Sequence, residues 1–440
     1  MPHLSEQECN KFYLPKIPIR SRGGLCLVTV GIIGKTNTGK TTLFNAATLL
    51  NAAISNFPFT TKEPNVGNAY VCDACVCREL GVKDNPLNST CIEGWRYVPV
   101  KIVDVPGLVK DAWKGRGLGN QFLSVTGAAD ALVHVVDASG SINPEGEITA
   151  PGSGNPLQDA MDIEMELSHW LAGVIINNGE RIVREEPRSS TALAITGPLV
   201  GLKATVPKVT LALEGSGLEK VPFLRWTDSQ ILKFSSALFP ILKPTLIVAN
   251  KMDVLTSEKN FENLTKHYGH NLVAACSAEA ELMLRRAEKQ GLLKYTPGGE
   301  KFKIVENARL TPEQKGALKH VETRVMDKFL RTGIQQALNT VVFKLLRMNM
   351  IFPVRDETKF ADNHGNVLPD AHLLPDDSTP IDLAAHVHTS LAENYVMAID
   401  AKTGVRLPAD YKLRHKDVIK ILATKREKGP IFKKLFRRKQ

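Results

Sequence analysis

No apolar run in the 440-residue sequence approaches the roughly 20 residues that a membrane-spanning helix needs. The stretch from Met1 to Arg22 brings prolines, charges and one cysteine where a secretory signal would have an apolar core. Cysteine is scarce: seven residues, an odd number in a long chain, which argues against a disulfide framework and for a reducing compartment. A cytoplasmic protein is therefore expected, and a monomer. Basic charge is also scarcer in the body than the net +10 suggests, because eight Lys/Arg and one Glu between Lys425 and Gln440 carry +7 of it. What remains is an ordinary globular composition, 43% hydrophobic and 23% charged, in a chain too long for one core.

Apolar, β-branched runs end repeatedly at polar residues of chemical interest. Leu25 to Ile33 ends at Gly34, Val98 to Val103 at Asp104, Ala131 to Val136 at Asp137, Thr245 to Ala249 at Asn250, and Leu272 to Ala275 near Ser277. Strands whose C-terminal ends gather functional residues predict an α/β fold with a mostly parallel sheet and helices on both faces. The spacing predicts a P-loop domain over residues 26–142 and 241–300. Residues 143–240 are too long for a crossover and read as a mostly helical insertion, with Met161, Met165, Leu171 and Ile175 as an apolar stripe. No reading is made of Arg181 to Leu224. Residues 301–348 read as a helical linker. Short β-like runs at Met350 to Val354, Val367 to Leu374, Tyr395 to Asp400 and Asp417 to Leu422 predict a small α+β domain over 349–424, followed by the basic tail 425–440.

The segment Gly34-Lys35-Thr36-Asn37-Thr38-Gly39-Lys40-Thr41, followed by Thr42, fits G-x-x-x-x-G-K-[ST] between a strand and a helix. Its glycines let backbone N–H groups close around phosphates, Lys40 reaches the β- and γ-phosphates, and the Thr41 hydroxyl ligates Mg²⁺. In Asp104-Val105-Pro106-Gly107, Asp104 is expected to hold Mg²⁺ through water and the Gly107 N–H to meet the γ-phosphate. Asn250-Lys251-Met252-Asp253 supplies base choice, since the Asp253 carboxylate accepts from guanine N1–H and the 2-amino group. Asn250 meets the acceptor edge and supports the loop, and the Lys251 stem packs along the ring. Ser277 and Ala278 fit a short loop that presents a backbone N–H to guanine. In Asn56 to Thr61, Thr61 is preferred to Thr60 as the hydroxyl completing the Mg²⁺ shell.

Cys72, Cys75, Cys77 and Cys91, with Asp73 nearby, offer four thiolates for Zn²⁺, although the first three are more compressed than paired C-x-x-C motifs. Free thiols in a loop are the alternative. The tail interleaves Ile431, Phe432, Leu435 and Phe436 with Lys433, Lys434, Arg437 and Arg438. That is either a basic amphipathic helix for RNA or an anionic membrane, or a solvated extension.

Phe57-Pro58-Phe59-Thr60-Thr61, Pro64-Asn65-Val66-Gly67, Gly107-Leu108-Val109 and Gly115-Arg116-Gly117-Leu118-Gly119-Asn120-Gln121-Phe122-Leu123 resemble the Obg/YchF GTPases. The long insertion, Ser277 to Glu281 and the end of the chain are most similar to the archaeal-type branch. The resemblance implies a TGS domain, a β-grasp module of ribosome- or RNA-linked proteins, with Asn366 to Ala371, Ser378, Thr379, Asp382 to Ala384 and His388 as matching positions. The YchF branch often lacks N-K-x-D and prefers ATP, whereas the intact motif here points to GTP. Asp111, Ala112 and Trp113 depart from the family's Gly followed by a small residue or His, and place switch geometry and hydrolysis rate in question. Leu108 stands where many small GTPases have a water-orienting Gln, so slow intrinsic turnover is expected, with a ribosomal partner or K⁺ completing the site. In related GTPases an Asn at the position of Asn37 helps bind K⁺; capping of the loop is the alternative role. The expected function is a GTP-hydrolysing switch associated with ribosomes. A nucleotide-binding adaptor and an ATP-preferring enzyme are the alternatives.

Overall fold

The computed structural model describes residues 27–49, 64–105 and 127–424. Seven strands form its larger sheet: β1 (Thr29–Ile33), β2 (Asn65–Ala74), β3 (Thr90–Ile92), β4 (Trp95–Asp104), β5 (Ala131–Asp137), β6 (Thr245–Asn250) and β7 (Val273–Ala275). Their order is β2-β4-β1-β5-β6-β7, with β3 antiparallel beside β4. From β4 to β7 every pairing is parallel. β5 is buried at all seven positions, as a central parallel strand covered on both faces must be. The C-terminal ends of β1, β4, β5, β6 and β7 thus lie along one edge of the sheet, where open α/β sheets bind ligands.

Residues 143–240 are mainly helical: Pro156–Asn177, Gly179–Glu185, Thr191–Thr196, Val206–Ser216 and Asp228–Leu242. The apolar face of the first differs from the stripe expected. Ile163, Leu167, Leu171 and Ile175 are buried, while Met161 and Met165 are exposed. A step of four keeps residues on one face, whereas the step of six from Met165 to Leu171 changes face. Asp228–Leu242 starts at a Thr227/Gln230 capping box and packs Phe234 and Leu238 into the same core.

The expected helical linker breaks in two. Pro312–Val321 continues through a wider turn to Phe329. Leu330 and Gly333 then take positive φ (65° and 98°), and a second helix starts at Ile334. Gly333 is required there: a Cβ would overlap the Ala275 carbonyl at the end of β7.

The chain divides into two compact units, one of Val28–Val71 with Val100–Leu346, the other of Cys72–Pro99 with the described part of Arg347–Gln440. The second unit has a five-stranded sheet in the order His372–Pro375, Met348–Val354, Val418–Ala423, Tyr395–Asp400, Arg406–Leu407, with the helix Pro380–Val387 contributing Leu383 to its core. Two expectations change here. Residues 72–99, read from the sequence as part of the P-loop domain, belong to the unit of the C-terminal residues. The strand expected over Val367 to Leu374 begins only at His372. Both follow from the same bonds: Asn85 and Leu87 donate backbone N–H to the Val367 and Pro369 carbonyls (2.8 and 2.7 Å). The Arg96 guanidinium donates to the Leu368 carbonyl (3.1 Å).

Candidate functional site

β1 delivers the chain to Gly34 at the sheet edge, and the helix Lys40–Thr48 leaves from Gly39. Both glycines have positive φ (143° and 93°) and no room for a side chain. A Cβ on Gly34 would overlap the Val135 carbonyl, and one on Gly39 the Asn250 amide nitrogen. Between them Thr38 Oγ1 donates to the Lys35 carbonyl (3.0 Å), closing the loop on itself. Lys40 Nζ donates to that same carbonyl (2.6 Å) from inside the loop. Burial draws the Lys40 ammonium down to about 8, with the Asp104 carboxylate acting the other way. Thr42 follows in the first turn of the helix.

The Thr41 hydroxyl donates to Asp104 Oδ2 (2.8 Å), and Asn65 Nδ2 donates to the same oxygen (3.3 Å). Asp104 Oδ1 is buried with no hydrogen-bond partner among the described residues. Burial raises the pKa of this carboxyl, while Lys40, Thr41 and Asn65 oppose the rise. A hydroxyl and a carboxylate side by side, with one carboxylate oxygen unsatisfied, are a hard donor set that fits Mg²⁺.

On the next strands, Asn250 spans two loops. Its Nδ2 donates to the Thr38 carbonyl (2.9 Å) and its Oδ1 accepts from the Ala278 N–H (3.0 Å). Its part in supporting the loop is thus direct. Lys251, at φ 64°, donates from Nζ to Asp137 Oδ2 (2.9 Å) and Ser141 Oγ (3.2 Å). The Ser277 hydroxyl donates to Asp253 Oδ1 (2.7 Å), which fixes the carboxylate that the sequence singles out for guanine. Ser277 N–H in turn donates to the Thr332 carbonyl (2.8 Å), just before Gly333.

Other contributors lie outside the nucleotide motifs or reach them from the insertion. Asp137 accepts from the Ser139 and Ser141 hydroxyls as well as from Lys251. The start of the insertion leans on the P-loop: Lys35 pairs with Asp159 (2.7 Å), and Asn37 Nδ2 donates to the Gly146 carbonyl (2.9 Å). Only the family motif Pro64-Asn65-Val66-Gly67 hinted at Asn65. Thr60, Thr61, Gly107, Leu108, Asp111, Ala112, Trp113, the segment Gly115 to Leu123 and the tail lie outside the described residues.

The cysteine cluster differs from the four thiolates expected. Cys75, Cys77, Cys91 and Asp84 bring their ligand atoms within 4.8 Å of one another, and Cys72 is not among them. Cys72 still belongs to β2, where each residue advances about 3.3 Å, whereas Cys75 caps the helix Val76–Leu80 that contains Cys77.

Family profiles match residues 29–159 as a 50S ribosome-binding GTPase, 248–356 as an Obg-like GTPase YGR210-like, G4 motif-containing domain, and 364–423 as a TGS domain. An uncharacterized GTP-binding protein of Methanocaldococcus jannaschii is 40% identical over 398 residues, 90% of this chain and 99% of that relative. The crystal structure of a GTP binding protein from Pyrococcus horikoshii has a TM-score of 0.71 at 32% identity and covers 90% of this chain and 100% of its own. The ribosome-binding ATPase YchF of Escherichia coli O157:H7 is 32% identical over 237 residues, 53% of this chain and 58% of that protein. Near-complete coverage by a relative at 40% identity, over a P-loop sheet and a TGS domain, places the chain in the Obg/YchF-type family of P-loop GTP-binding proteins, in its archaeal-type branch.

Proposed function

We propose that the protein binds GTP with Mg²⁺, hydrolyses it slowly to GDP and phosphate, and acts as a ribosome- or RNA-associated switch. One observation carries the choice of guanine. The Asp253 carboxylate is held by the Ser277 hydroxyl beside Asn250 and Ala278, at the end of β6. Guanine presents two adjacent donors, N1–H and the 2-amino group, to such a carboxylate; adenine presents neither. This reading separates the chain from the relative named an ATPase. Direct titration with GTP and ATP tests it. Binding of GTP at least tenfold tighter than ATP is expected, and Asp253→Asn should move the preference to xanthosine triphosphate, whose 2-oxo group accepts from an amide. Equal affinity for GTP and ATP would overturn the reading.

In the proposed site the Gly34 to Thr41 loop gives its backbone N–H groups to the phosphates, and Lys40 turns its ammonium from the Lys35 carbonyl to the β- and γ-oxygens. Thr41 and Asp104 would hold Mg²⁺, with Thr61 as a third ligand and Gly107 on the γ-phosphate. When bound, the ion neutralises phosphate charge. Asn37 is proposed to bind K⁺ through its amide oxygen.

Slow turnover rests on Leu108, which offers no hydrogen bond to an attacking water. Leu108 equally favours a second reading, a nucleotide-state adaptor with negligible hydrolysis. Single-turnover hydrolysis with and without ribosomes separates the two, since only the switch accelerates. The ribosomal role is supported by the TGS domain and by the family's ribosome-binding members. Co-sedimentation with ribosomes in GTP analogue and in GDP, with and without residues 349–440, tests it. The reading includes a cytoplasmic monomer.

A further inference from the structure

From the arrangement of Cys75, Cys77, Asp84 and Cys91 we infer a structural zinc site of three thiolates and one carboxylate, independent of the nucleotide site. The four ligand atoms come from different local structures that converge. Cys75 is the N-cap of the short helix Val76–Leu80, Cys77 is its second residue, Asp84 follows the helix end at Gly81, and Cys91 lies in β3. The Cys75 N–H is tied to the Gly94 carbonyl (2.8 Å), which brings the helix to the turn between β3 and β4.

All four ligand atoms lie within 4.8 Å of one another, and two of their separations match the edges of a metal shell. Tetrahedral zinc with Zn–S near 2.3 Å sets its sulfurs about 3.8 Å apart, and Cys77 Sγ stands 3.9 Å from Cys91 Sγ. Cys75 Sγ lies 3.4 Å from Asp84 Oδ2, the shorter spacing that a sulfur–oxygen edge has. A disulfide between Cys77 and Cys91 would need the sulfurs at about 2.05 Å. Three thiolates with a carboxylate are a borderline-soft set, suited to zinc over calcium or magnesium.

The surroundings supply a supporting shell. Arg96 is fully buried, sits opposite Cys91 in the β3–β4 ladder, and donates to Asp84 Oδ2 (2.8 Å) and Ser89 Oγ (2.9 Å). Four anionic ligands exceed the charge of a divalent cation, and a buried guanidinium on the carboxylate offsets part of that excess while orienting it.

The site also has something to hold. Residues 82–89 have no helix or strand of their own, yet they supply Asp84 and the N–H groups that pair with Val367 and Pro369. Asn88 adds a reciprocal pair with Ala371, donating to its carbonyl (3.1 Å) and accepting from its N–H (2.9 Å). A metal on Asp84 pins this loop to the C-terminal unit's Asn366 to Ala371 segment.

Elemental analysis of the full chain, purified without affinity metals and dialysed, tests the inference. One equivalent of zinc per chain is expected in the wild type and in Cys72→Ser, and less than a tenth of that in Cys91→Ser. Cobalt titration of chelator-treated wild type does not depend on any variant folding. It should give thiolate-to-cobalt charge-transfer absorption in the near ultraviolet and strong visible bands of a tetrahedral centre. Asp84→Ala should keep the charge transfer and alter the visible bands. No zinc above background together with no charge-transfer bands would overturn the site. So would equal zinc in Cys91→Ser and wild type, or a Cys77–Cys91 disulfide in protein purified under reducing conditions.

Discussion

Lys40 is buried with its ammonium against a carbonyl of its own loop, and its pKa falls to about 8 because water is excluded. The folded value lies below the ordinary 10.5, so between the two the unfolded chain keeps a proton that the folded chain has lost. Stability of the nucleotide-free protein therefore gains from this group as pH rises through that window. Phosphate oxygens act in the opposite sense by restoring the charge. Above pH 8, GTP binding should take up a proton and weaken as pH rises. Calorimetry in two buffers of different ionisation enthalpy should show uptake at pH 8.5 and almost none at pH 7; no uptake at pH 8.5 contradicts the placement of Lys40 on phosphate. Asn37 makes a second case. Its amide nitrogen donates to the Gly146 carbonyl, across from the start of the insertion. Turnover should be several-fold faster in KCl than in NaCl at equal ionic strength, and Asn37→Ala should remove the difference; equal wild-type rates would end the K⁺ proposal. Lys40, Thr41, Asp104, Asn250 and Asp253 of the candidate site could be singled out because each sits in a short motif next to a strand end. Asp159 and Gly146 could not. Each meets its partner from more than a hundred residues away, and no local pattern records such a contact. Asp84, the carboxylate of the proposed zinc site, did not stand out in the sequence, whose spacing pointed to Cys72 with Asp73 nearby.

At the level of elements, the parallel strands were legible because a strand covered on both faces must be a near-continuous apolar run. Ala131 to Val136 reads that way and is the central strand observed. β2 was not legible. Its ten residues, Asn65–Ala74, alternate buried and partly exposed positions only weakly and include Gly67, Asn68 and Asp73. The linker shows the opposite failure, in which a single helical stretch was expected and tertiary contact imposed a break. Gly333 turns the chain at φ 98° against the Ala275 carbonyl, and the Thr332 carbonyl accepts from the Ser277 N–H. The element following Leu330 is thus fitted to the loop that holds Asp253. Gly333→Ala combines backbone strain with a clash that only movement of the β7 end can relieve. A loss of about 3 kcal/mol in urea unfolding is expected. GTP affinity should fall more than the affinity for inorganic triphosphate, because Ser277 and Ala278 are proposed to meet the base. Unchanged stability would mean that the turn relaxes without involving β7.

For the whole molecule, charge divides very unevenly along the chain. The sixteen residues from Lys425 carry +7 of the net +10. That leaves the folded body weakly basic, too little to account for nucleic-acid affinity through its overall field. If the protein meets RNA on the ribosome, two parts of the chain can supply the contact by different physics. The TGS domain presents shaped surface, whose contribution varies little with salt. The tail presents counterion-releasing charge, whose contribution falls linearly with the logarithm of salt concentration, by roughly 0.7 to 0.9 per phosphate neutralised. Removing residues 425–440 should therefore do two things to ribosome or RNA binding measured over a range of KCl: weaken it at low salt, and flatten the salt slope by several units. The two curves should converge at high salt, where only the shape-dependent contribution survives. Parallel curves would assign the tail no phosphate contacts and leave binding to residues 349–424. A slope that vanishes on truncation together with all affinity would assign binding to the tail alone and remove the TGS domain from the contact.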